Sequence, residues 1–359
     1  MTWFGEQLAH IADDMPERDL AARAIEAHQR RRRTLMALSA AVVVVVTVLA
    51  ATVGVRALPG EPRAAVRPAQ PPERSVVKVG VVPSVESAPV FVALEKGYFR
   101  EEGLTVQPRI VSGAAAAAPE LAMGALDLAQ TDYATLFQAN EHGQSLRIVA
   151  SLHRAGPGTF AIAVNPGSRI RTAADLRKKR IAVPNLAGLG RTALAAVLKR
   201  ARLTFRDVLL VERPYPEMLI ALEKGQADAA LLAEPYVTIG RASGRARIVQ
   251  DAMTGEFANL YTAGMSATDR WTRANPRTLA AFRRALAKAQ ALIAADPRQA
   301  RDVLARYTRI TGTAAADVAI GSYPARLDLA ELRRVADLAR VYGLLGRPAD
   351  LADAVAEGG

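Results

Sequence analysis

Apolar residues follow two alternating patterns along residues 76–240, namely short β-branched runs and longer stretches with helical spacing. Residues 76–82 form a valine-rich run that ends at Pro83, which predicts a strand. A helix is predicted over 89–96, closed by Gly97. The same criteria predict strands at 104–111, 126–130, 146–150, 180–184, 208–211 and 229–232, and helices at 119–124, 173–176, 191–202 and 216–224. Strands that alternate with helices indicate a mainly parallel α/β sheet.

The alternation restarts after the turn sequence at 165–167, which indicates two similar α/β halves. From Asn275 onward nearly every segment has helical spacing, with apolar residues at Leu279, Phe282 and Leu286. The fold class predicted for the folded part is therefore α/β, with two halves and a helical C-terminal segment.

A different pattern occupies the N-terminal quarter of the chain. Residues 34–55 carry no charge, and this length matches an apolar helix that spans a bilayer. The four arginines at 30–33 predict a cytoplasmic tail over 1–33 and a transmembrane anchor over 34–55. Arg32 and Arg33 also resemble a twin-arginine export signal, which leaves open an exported, cleaved form. Residues 56–75 are rich in proline and read as a linker.

The amino-acid composition excludes several classes of function. The 359 residues include no cysteine, which excludes disulfides, thiolate metal sites, a cysteine nucleophile and a lipid-modified N-terminal cysteine. The formal net charge is +12, most of it spread over 76–359 with few aromatic residues among the bases. This distribution does not favour nucleic-acid binding.

Four stretches, in order, resemble one family. They are 79–104 with its Glu-Lys-Gly-Tyr-Phe segment, Leu-Ala-Met-Gly-Ala-Leu-Asp at 121–127, the turn at 175–183, and 216–236 with Glu-Pro-Tyr at its end. Together they are similar to the extracytoplasmic solute-binding proteins of ABC importers, in the branch that binds nitrate, sulfonates, taurine and thiamine precursors. The chain departs from that pattern at Lys178, where glycine is usual, and in the loop at 185–190, which lacks Ser and His.

The resemblance implies a type II periplasmic-binding-protein fold with two lobes and a ligand between them. Its two crossing strands are expected near 160–165 and 262–267. Lobe 1 would then comprise 76–164 and 265–359, and lobe 2 would comprise 165–264. The implied partners are a small-molecule ligand and the permease and ATPase subunits of an importer, with the receptor itself monomeric.

Candidate ligand-binding residues lie where predicted strands end and helices begin, because open α/β sheets bind ligands there. Each has a purely structural alternative, such as helix capping, packing or surface exposure. The glycine loop and helix start at 185–192 favour an anion or a polar head group, through backbone N–H groups and the helix dipole. The full set is Ser84, Glu86, Ser87, Thr131, Asp132, Tyr133, His153, Asn185, Gly190, Arg191, Thr192, Glu234, Tyr236 and Met265.

These observations predict a membrane-anchored, extracytoplasmic receptor that closes on a small polar or anionic ligand. No nucleophile elbow or His-Glu-x-x-His motif occurs, so neither enzymatic activity nor a cofactor is expected. Two alternatives remain open: a tethered ligand sensor without transport, and a relative of pyrimidine-precursor enzymes. Those enzymes depend on a cysteine-rich segment that this chain lacks.

Overall fold

The computed structural model describes residues 70–357. The predicted cytoplasmic tail, the apolar segment at 34–55 and most of the linker lie outside the described residues. Within the described part, no helix has both the length and the apolar character needed to cross a bilayer.

Within residues 70–357, ten strands form two five-stranded sheets. The strands are β1 Val76–Val81, β2 Thr105–Ile110, β3 Leu128–Asp132, β4 Leu146–Arg154, β5 Phe160–Val164, β6 Arg180–Val183, β7 Leu209–Glu212, β8 Ala229–Ala233, β9 Arg247–Asp251 and β10 Tyr261–Thr268. The order is β2-β1-β3-β10-β4 in the first sheet and β7-β6-β8-β5-β9 in the second. The two sheets therefore share one topology, as the two similar halves of the sequence predict.

Twelve α-helices accompany these strands in the described residues. They are α1 Ala88–Glu95, α2 Tyr98–Glu101, α3 Ala114–Ala122, α4 Tyr133–Glu141, α5 Gly188–Arg200, α6 Tyr215–Glu223, α7 Tyr236–Ala242, α8 Asp269–Ala274, α9 Pro276–Ala295, α10 Arg298–Asp302, α11 Leu329–Val341 and α12 Leu351–Ala354. Most predicted strands and helices are confirmed to within a few residues. The C-terminal segment is less helical than predicted, because 318–328 is irregular apart from an isolated bridge at Ser322.

Each sheet combines parallel pairing with one antiparallel strand. β1 runs parallel to β2 and β3, and β6 runs parallel to β7 and β8. β10 inserts antiparallel between β3 and β4, and β5 inserts antiparallel between β8 and β9. The strand order reverses at β1 and at β6, because successive connections lead to opposite sides of each strand. The crevice at the carboxyl ends of strands at such a switch point is where open α/β sheets bind ligands.

Two connections join the sheets, at residues 155–159 and 252–260. Both expected crossing segments lie mainly within a single sheet: β5 belongs wholly to the second sheet, and β10 belongs wholly to the first. Each crossing precedes the residues where the sequence placed it, because hydropathy shows a buried strand without showing which sheet it joins. We call 76–154 with 261–357 the first lobe and 160–251 the second lobe.

Packing continues from one lobe to the other. α11 contacts α4 of the first lobe and α5 of the second. Its buried residues include Leu332, Val335 and Ala339. α11 comes after β10 in the chain and packs over the region where α4 contacts α5.

Lys178 adopts the left-handed conformation that the sequence comparison associates with glycine, with φ of 60°. An L-residue in that region costs about 1–2 kcal/mol, offset in part by the larger chain entropy that glycine loses on folding. Lys178→Gly is expected to raise the free energy of unfolding by about 0.5–1 kcal/mol. Urea denaturation measures this change.

The neighbouring lysine supplies a matched control, since Lys179 is not among the residues with positive φ. Lys179→Gly is expected to lower stability by about 0.5–1 kcal/mol, because only the entropic cost of glycine remains. Equal effects at the two positions would contradict the assignment of backbone strain to Lys178.

Candidate functional site

A small cavity lies between the two lobes. Its volume is about 50 Å³. The first lobe contributes side chains from the carboxyl ends of β1 and β3, and the second lobe contributes the start of α5 and the start of α6. The lining residues are Val82, Glu86, Gly113, Gln130, Asp132, Phe160, Pro184, Asn185, Leu189, Gly190, Tyr215 and Met253.

A wider groove of about 670 Å³ lies on the outer side of the first lobe, beside Arg147 and Arg283. Two of its arginines already have partners: Arg147 forms ion pairs with Asp269 and Asp353, at 2.8 and 2.7 Å. Arg283 donates hydrogen bonds to main-chain carbonyls, including that of Val149 at 2.6 Å. The cavity between the lobes is therefore the better candidate site, because it collects buried polar groups at the ends of parallel strands.

Glu86 is the central polar group of the cavity. It lies in the 3₁₀ turn Val85–Ser87 and is 8% exposed. Its Oε2 accepts hydrogen bonds from the Ser84 hydroxyl at 3.2 Å and from the Gln130 amide at 3.1 Å. Burial, with a smaller contribution from the nearby carboxylate of Asp132, raises the pKa of Glu86 to about 7, while hydrogen bonds from neighbouring side chains act in the opposite direction. This carboxyl group can therefore hold or release a proton near neutral pH.

Glu86 is also connected, through Thr262, to a buried histidine behind the cavity. His153 Nε2 lies 2.9 Å from the Ile320 carbonyl, which only accepts, so Nε2 carries the hydrogen. The hydroxyl of Thr262 then donates to His153 Nδ1 at 2.7 Å, and its oxygen is also a hydrogen-bond partner of Glu86. Burial lowers the pKa of His153 to about 4. Below about pH 7, where Glu86 holds its proton, a chain of hydrogen bonds thus runs from Glu86 through Thr262 to a neutral His153.

Asp132 joins the two lobes. It ends β3 and caps α4, where its Oδ1 accepts the backbone N–H of Thr135 at 2.8 Å. The same Oδ1 accepts the backbone N–H of Leu189, in the first turn of α5, at 2.9 Å. Burial raises the pKa of Asp132, while the hydrogen bonds from Thr135 and Leu189 act in the opposite direction. One carboxyl group therefore accepts hydrogen bonds from the N-terminal turns of two helices, one in each lobe.

Gly188 makes that approach possible. Its φ is +75°, and a Cβ there would lie 2.2 Å from Thr135 Oγ1 and 2.9 Å from Asp132 Oδ2. α5 has no side-chain cap within its own lobe, since its N-cap residue is Ala187. The carboxyl group of Asp132 takes the place that a local capping side chain would otherwise fill.

Glu234 also joins the lobes, but from the hinge side. Its carboxylate accepts the Thr238 hydroxyl at 2.8 Å and the Thr238 N–H at 3.0 Å, which caps α7. The same side chain accepts the N–H of Ala319 at 3.2 Å, and its main-chain carbonyl accepts the N–H of Val85 at 2.9 Å. Burial raises the pKa of this carboxyl group. Both oxygens are occupied by the protein, so Glu234 acts here as an interlobe tie.

The structure gathers part of the predicted site at the cavity. Glu86, Asp132, Asn185 and Gly190 line it directly. Three more residues support that lining. Ser84 donates to Glu86, Ser87 contacts Gln130, and Tyr236 stacks on Tyr215 with ring centroids 6.1 Å apart.

The other predicted residues lie away from the cavity lining. Arg191 places its guanidinium 4.3 Å from the centre of the Phe205 ring, and Thr192 bonds back to the Gly188 carbonyl at 2.9 Å. The remaining residues are buried partners of other protein groups; they are Thr131, Tyr133, His153, Glu234 and Met265.

Sequence reasoning missed several lining residues, including Gln130, Phe160, Tyr215 and Met253. Gln130 lies in the same strand end as Asp132, so its position two residues earlier was a usable signal. Phe160 and Met253 border the connections between the lobes, and no local pattern marks them.

Charge distinguishes this cavity. Among the described residues, no lysine or arginine lines it, whereas the carboxyl groups of Glu86 and Asp132 do. The predicted contribution of Arg191 to an anion site is therefore absent from the lining, because that side chain packs on Phe205 instead.

Comparison with known proteins places this geometry in context. The chain is 25% identical over 252 residues to a riboflavin-binding protein, RibY, of Chloroflexus aurantiacus, a match covering 68% of this chain and 70% of that protein. The solved alkanesulfonate-binding protein SsuA of Xanthomonas axonopodis pv. citri, bound to MOPS, superposes with a TM-score of 0.67 at 20% identity. That match covers 79% of this chain and 99% of SsuA.

A second solved structure has the same fold. The periplasmic nitrate-binding protein NrtA of Synechocystis PCC 6803 superposes with a TM-score of 0.64 at 14% identity, covering 77% of this chain and 84% of NrtA. At these identities the two structures establish the two-lobed periplasmic-binding-protein fold and leave the ligand open. The sequence profile described as NMT1/THI5 like matches residues 84–300, which is more than half of the chain. The chain therefore belongs to the NMT1/THI5-like family.

Proposed function

We propose that this protein is the extracytoplasmic solute-binding receptor of an ABC importer, which closes its lobes on a small organic ligand and presents it to a permease. The family membership and the shared sheet topology support a binding role. Closure needs only a higher ligand affinity in the closed form than in the open form, and no bond is made or broken.

The ligand we propose is uncharged or cationic and carries N–H donors, as nitrogen heterocycles do. One observation carries this choice: the buried carboxyl group of Glu86, the partly buried carboxyl group of Asp132 and two side-chain amides line the cavity, and among the described residues no basic side chain does. An anion would be desolvated beside Glu86 and Asp132 with no opposite charge to compensate. A donor or cation would instead relieve the repulsion between these two carboxyl groups.

Aromatic residues complete the match to a planar ligand. Tyr215 and Phe160 border the cavity, and Tyr215 stacks on Tyr236 behind it. Flat heterocycles gain from such surfaces through apolar burial and ring stacking. The present volume of about 50 Å³ holds roughly three to five waters, so the lobes must move apart to admit a ring.

The proposal predicts which solutes bind. Calorimetric titration of the full-length chain, kept in mild detergent because of the apolar segment 34–55, is expected to detect saturable binding of a hydroxymethylpyrimidine thiamine precursor or of riboflavin. Taurine, methanesulfonate and nitrate are expected to give no heat of binding, because the cavity offers them only carboxyl groups. Glu86→Gln is expected to weaken heterocycle binding by about tenfold, the loss of one charge-assisted hydrogen bond.

Glu217→Gln is the matched control, since Glu217 lies exposed on α6 and outside the cavity lining. It is expected to leave affinity unchanged. Binding of sulfonates or nitrate by the unmodified chain, with no heterocycle bound, would overturn the proposed ligand class.

A further inference from the structure

Three features of the N-terminus of α5 affect which ligands the cleft between the lobes can bind. The N-terminus of α5 points into the cleft, lacks a cap from its own lobe, and begins a helix of 13 residues. Such a terminus attracts anions, because its free N–H groups and the helix dipole both favour negative charge. Here those groups meet a carboxyl group of the protein itself, through the 2.9 Å hydrogen bond from Leu189 N–H to Asp132 Oδ1.

The fit around that carboxyl group is close. The side chain of Asp132 also accepts the N–H and the hydroxyl of Thr135, so its position is set by α4 before the lobes close. Gly188 leaves no room between the two helices, as a Cβ would fall within 3.0 Å of both Asp132 oxygens. The contact is thus built from both sides: a fixed carboxyl group on one lobe and a bare helix terminus on the other.

We propose that Asp132 is a specificity-determining residue, an intramolecular anion that occupies the anion-binding terminus of α5 in the closed cleft and so excludes sulfonate-like and nitrate-like solutes. An incoming anion would have to displace the carboxyl group from Leu189 N–H and lie beside it. Both steps disfavour binding, because like charges repel and because the N–H and hydroxyl of Thr135 on α4 still hold the carboxyl group in place. The inference deepens the proposed function by naming the residue that rejects one ligand class.

Shortening this side chain is expected to convert the terminus of α5 into a working anion site. Serine is a good N-cap residue, so Asp132→Ser keeps a cap on α4 while removing both the charge and the reach to α5. The probe is methanesulfonate, titrated by calorimetry into the full-length chain. The variant is expected to bind it at least about tenfold more tightly than the unmodified chain, equivalent to about 1.4 kcal/mol.

Two further variants serve as a control for this experiment and as a substitute for the serine variant. Asp328 also caps a helix, accepting the N–H groups of Ala330 and Glu331 on α11, and it lies outside the cavity lining. Asp328→Ser removes the same charge elsewhere and is expected to give no gain in methanesulfonate binding. Asp132→Thr carries the same expectation as Asp132→Ser and replaces it if the serine variant does not fold.

The location of binding is read from the amide signals of Leu189 and Gly190 in NMR spectra, which are expected to shift with methanesulfonate only in the Asp132 variants. A folded Asp132 variant without gained affinity, or an equal gain in Asp328→Ser, would overturn the role of Asp132. If no heterocycle binds the unmodified chain but Asp132→Ser gains methanesulfonate, the proposed ligand class fails while this inference stands.

Discussion

Replacing Glu86 by glutamine is expected to make the free energy of unfolding rise with pH by up to about 1.4 kcal/mol per unit between pH 4 and 6.5. In the unmodified protein the corresponding contribution of Glu86 and His153 is expected to be nearly flat across most of this range. The contrast follows from two buried groups that titrate in opposite senses: burial raises the pKa of Glu86 to about 7 and lowers the pKa of His153 to about 4.

The sign follows from where each proton resides. Between about pH 4.5 and 6.5 the folded chain carries a proton on Glu86 and none on His153, whereas the unfolded chain carries it on His153 and not on Glu86. Unfolding then moves a proton from one residue to the other without net uptake, so stability does not depend on pH through this pair. Once Glu86 is glutamine, unfolding takes up one proton at His153, and acid destabilises the fold.

The complementary variant reverses the slope. In His153→Gln only Glu86 titrates, so the folded chain binds the extra proton and stability is expected to fall as pH rises from about 4.5 to 7. Urea denaturation of the full-length chain at half-unit pH steps measures both slopes. Glu217→Gln, on the exposed surface of α6, is expected to reproduce the unmodified profile. Identical profiles for the Glu86 and His153 variants would refute this account of the pair.

Adding one methyl group at Gly188 is expected to hold the lobes apart. A Cβ at this position falls 2.2 Å from Thr135 Oγ1 and against the carboxyl group of Asp132, both in the opposite lobe. Real Cβ atoms do not approach other atoms so closely. Either α5 moves away from α4, or the side chains of Thr135 and Asp132 rotate and lose the hydrogen bonds between them, which makes separation of the helices the favoured response. Gly188→Ala is therefore expected to lower the ratio of closed to open molecules at least about tenfold, a bias of about 1.4 kcal/mol.

Gly225 separates this effect from backbone strain. Its φ is +63°, similar to that of Gly188, and no atom lies within 4 Å of the position its Cβ would take. Gly225→Ala is expected to lower stability by about 1–2 kcal/mol through the left-handed conformation alone and to leave the lobes closed. Gly188→Ala is expected to lose a similar amount of stability, since opening relieves the clash between lobes.

The absence of cysteine makes the distance between lobes straightforward to measure. Met123 in the first lobe and Leu209 in the second are 76% and 59% exposed, so Met123→Cys and Leu209→Cys accept spin labels at unique sites. Double electron–electron resonance is expected to show a longer distance in Gly188→Ala than in the unmodified background, and no change in Gly225→Ala. A distance unaffected by the alanine at Gly188 would show that the two helix termini do not control closure.

Most strands and helices were predictable because each depends on a local pattern of apolar residues, glycine and proline. A valine-rich run such as 76–82 predicts a strand in the interior of a sheet, whichever strands it pairs with. Gly97 ends a helix because glycine readily adopts the positive φ found there. The order of the motifs from 79 to 236 indicated the family, which the profile match over 84–300 confirms. The crossings were displaced because a buried strand has the same hydropathy in either sheet, and only pairing assigns β5 and β10.

The site divides in the same way. The sequence by itself predicted that polar residues at strand ends, among them Glu86, Asp132 and Asn185, would lie together, because parallel strands end at one edge, and these three line the cavity between the lobes. Only the tertiary structure decided the charge of that cleft. It turned Arg191 onto Phe205, brought the carboxyl group of Asp132 onto the helix terminus that had predicted an anion site, and set Glu86 before a neutral His153. The last two outcomes depend on contacts between residues 57 and 167 positions apart, and neither spacing nor composition encodes them.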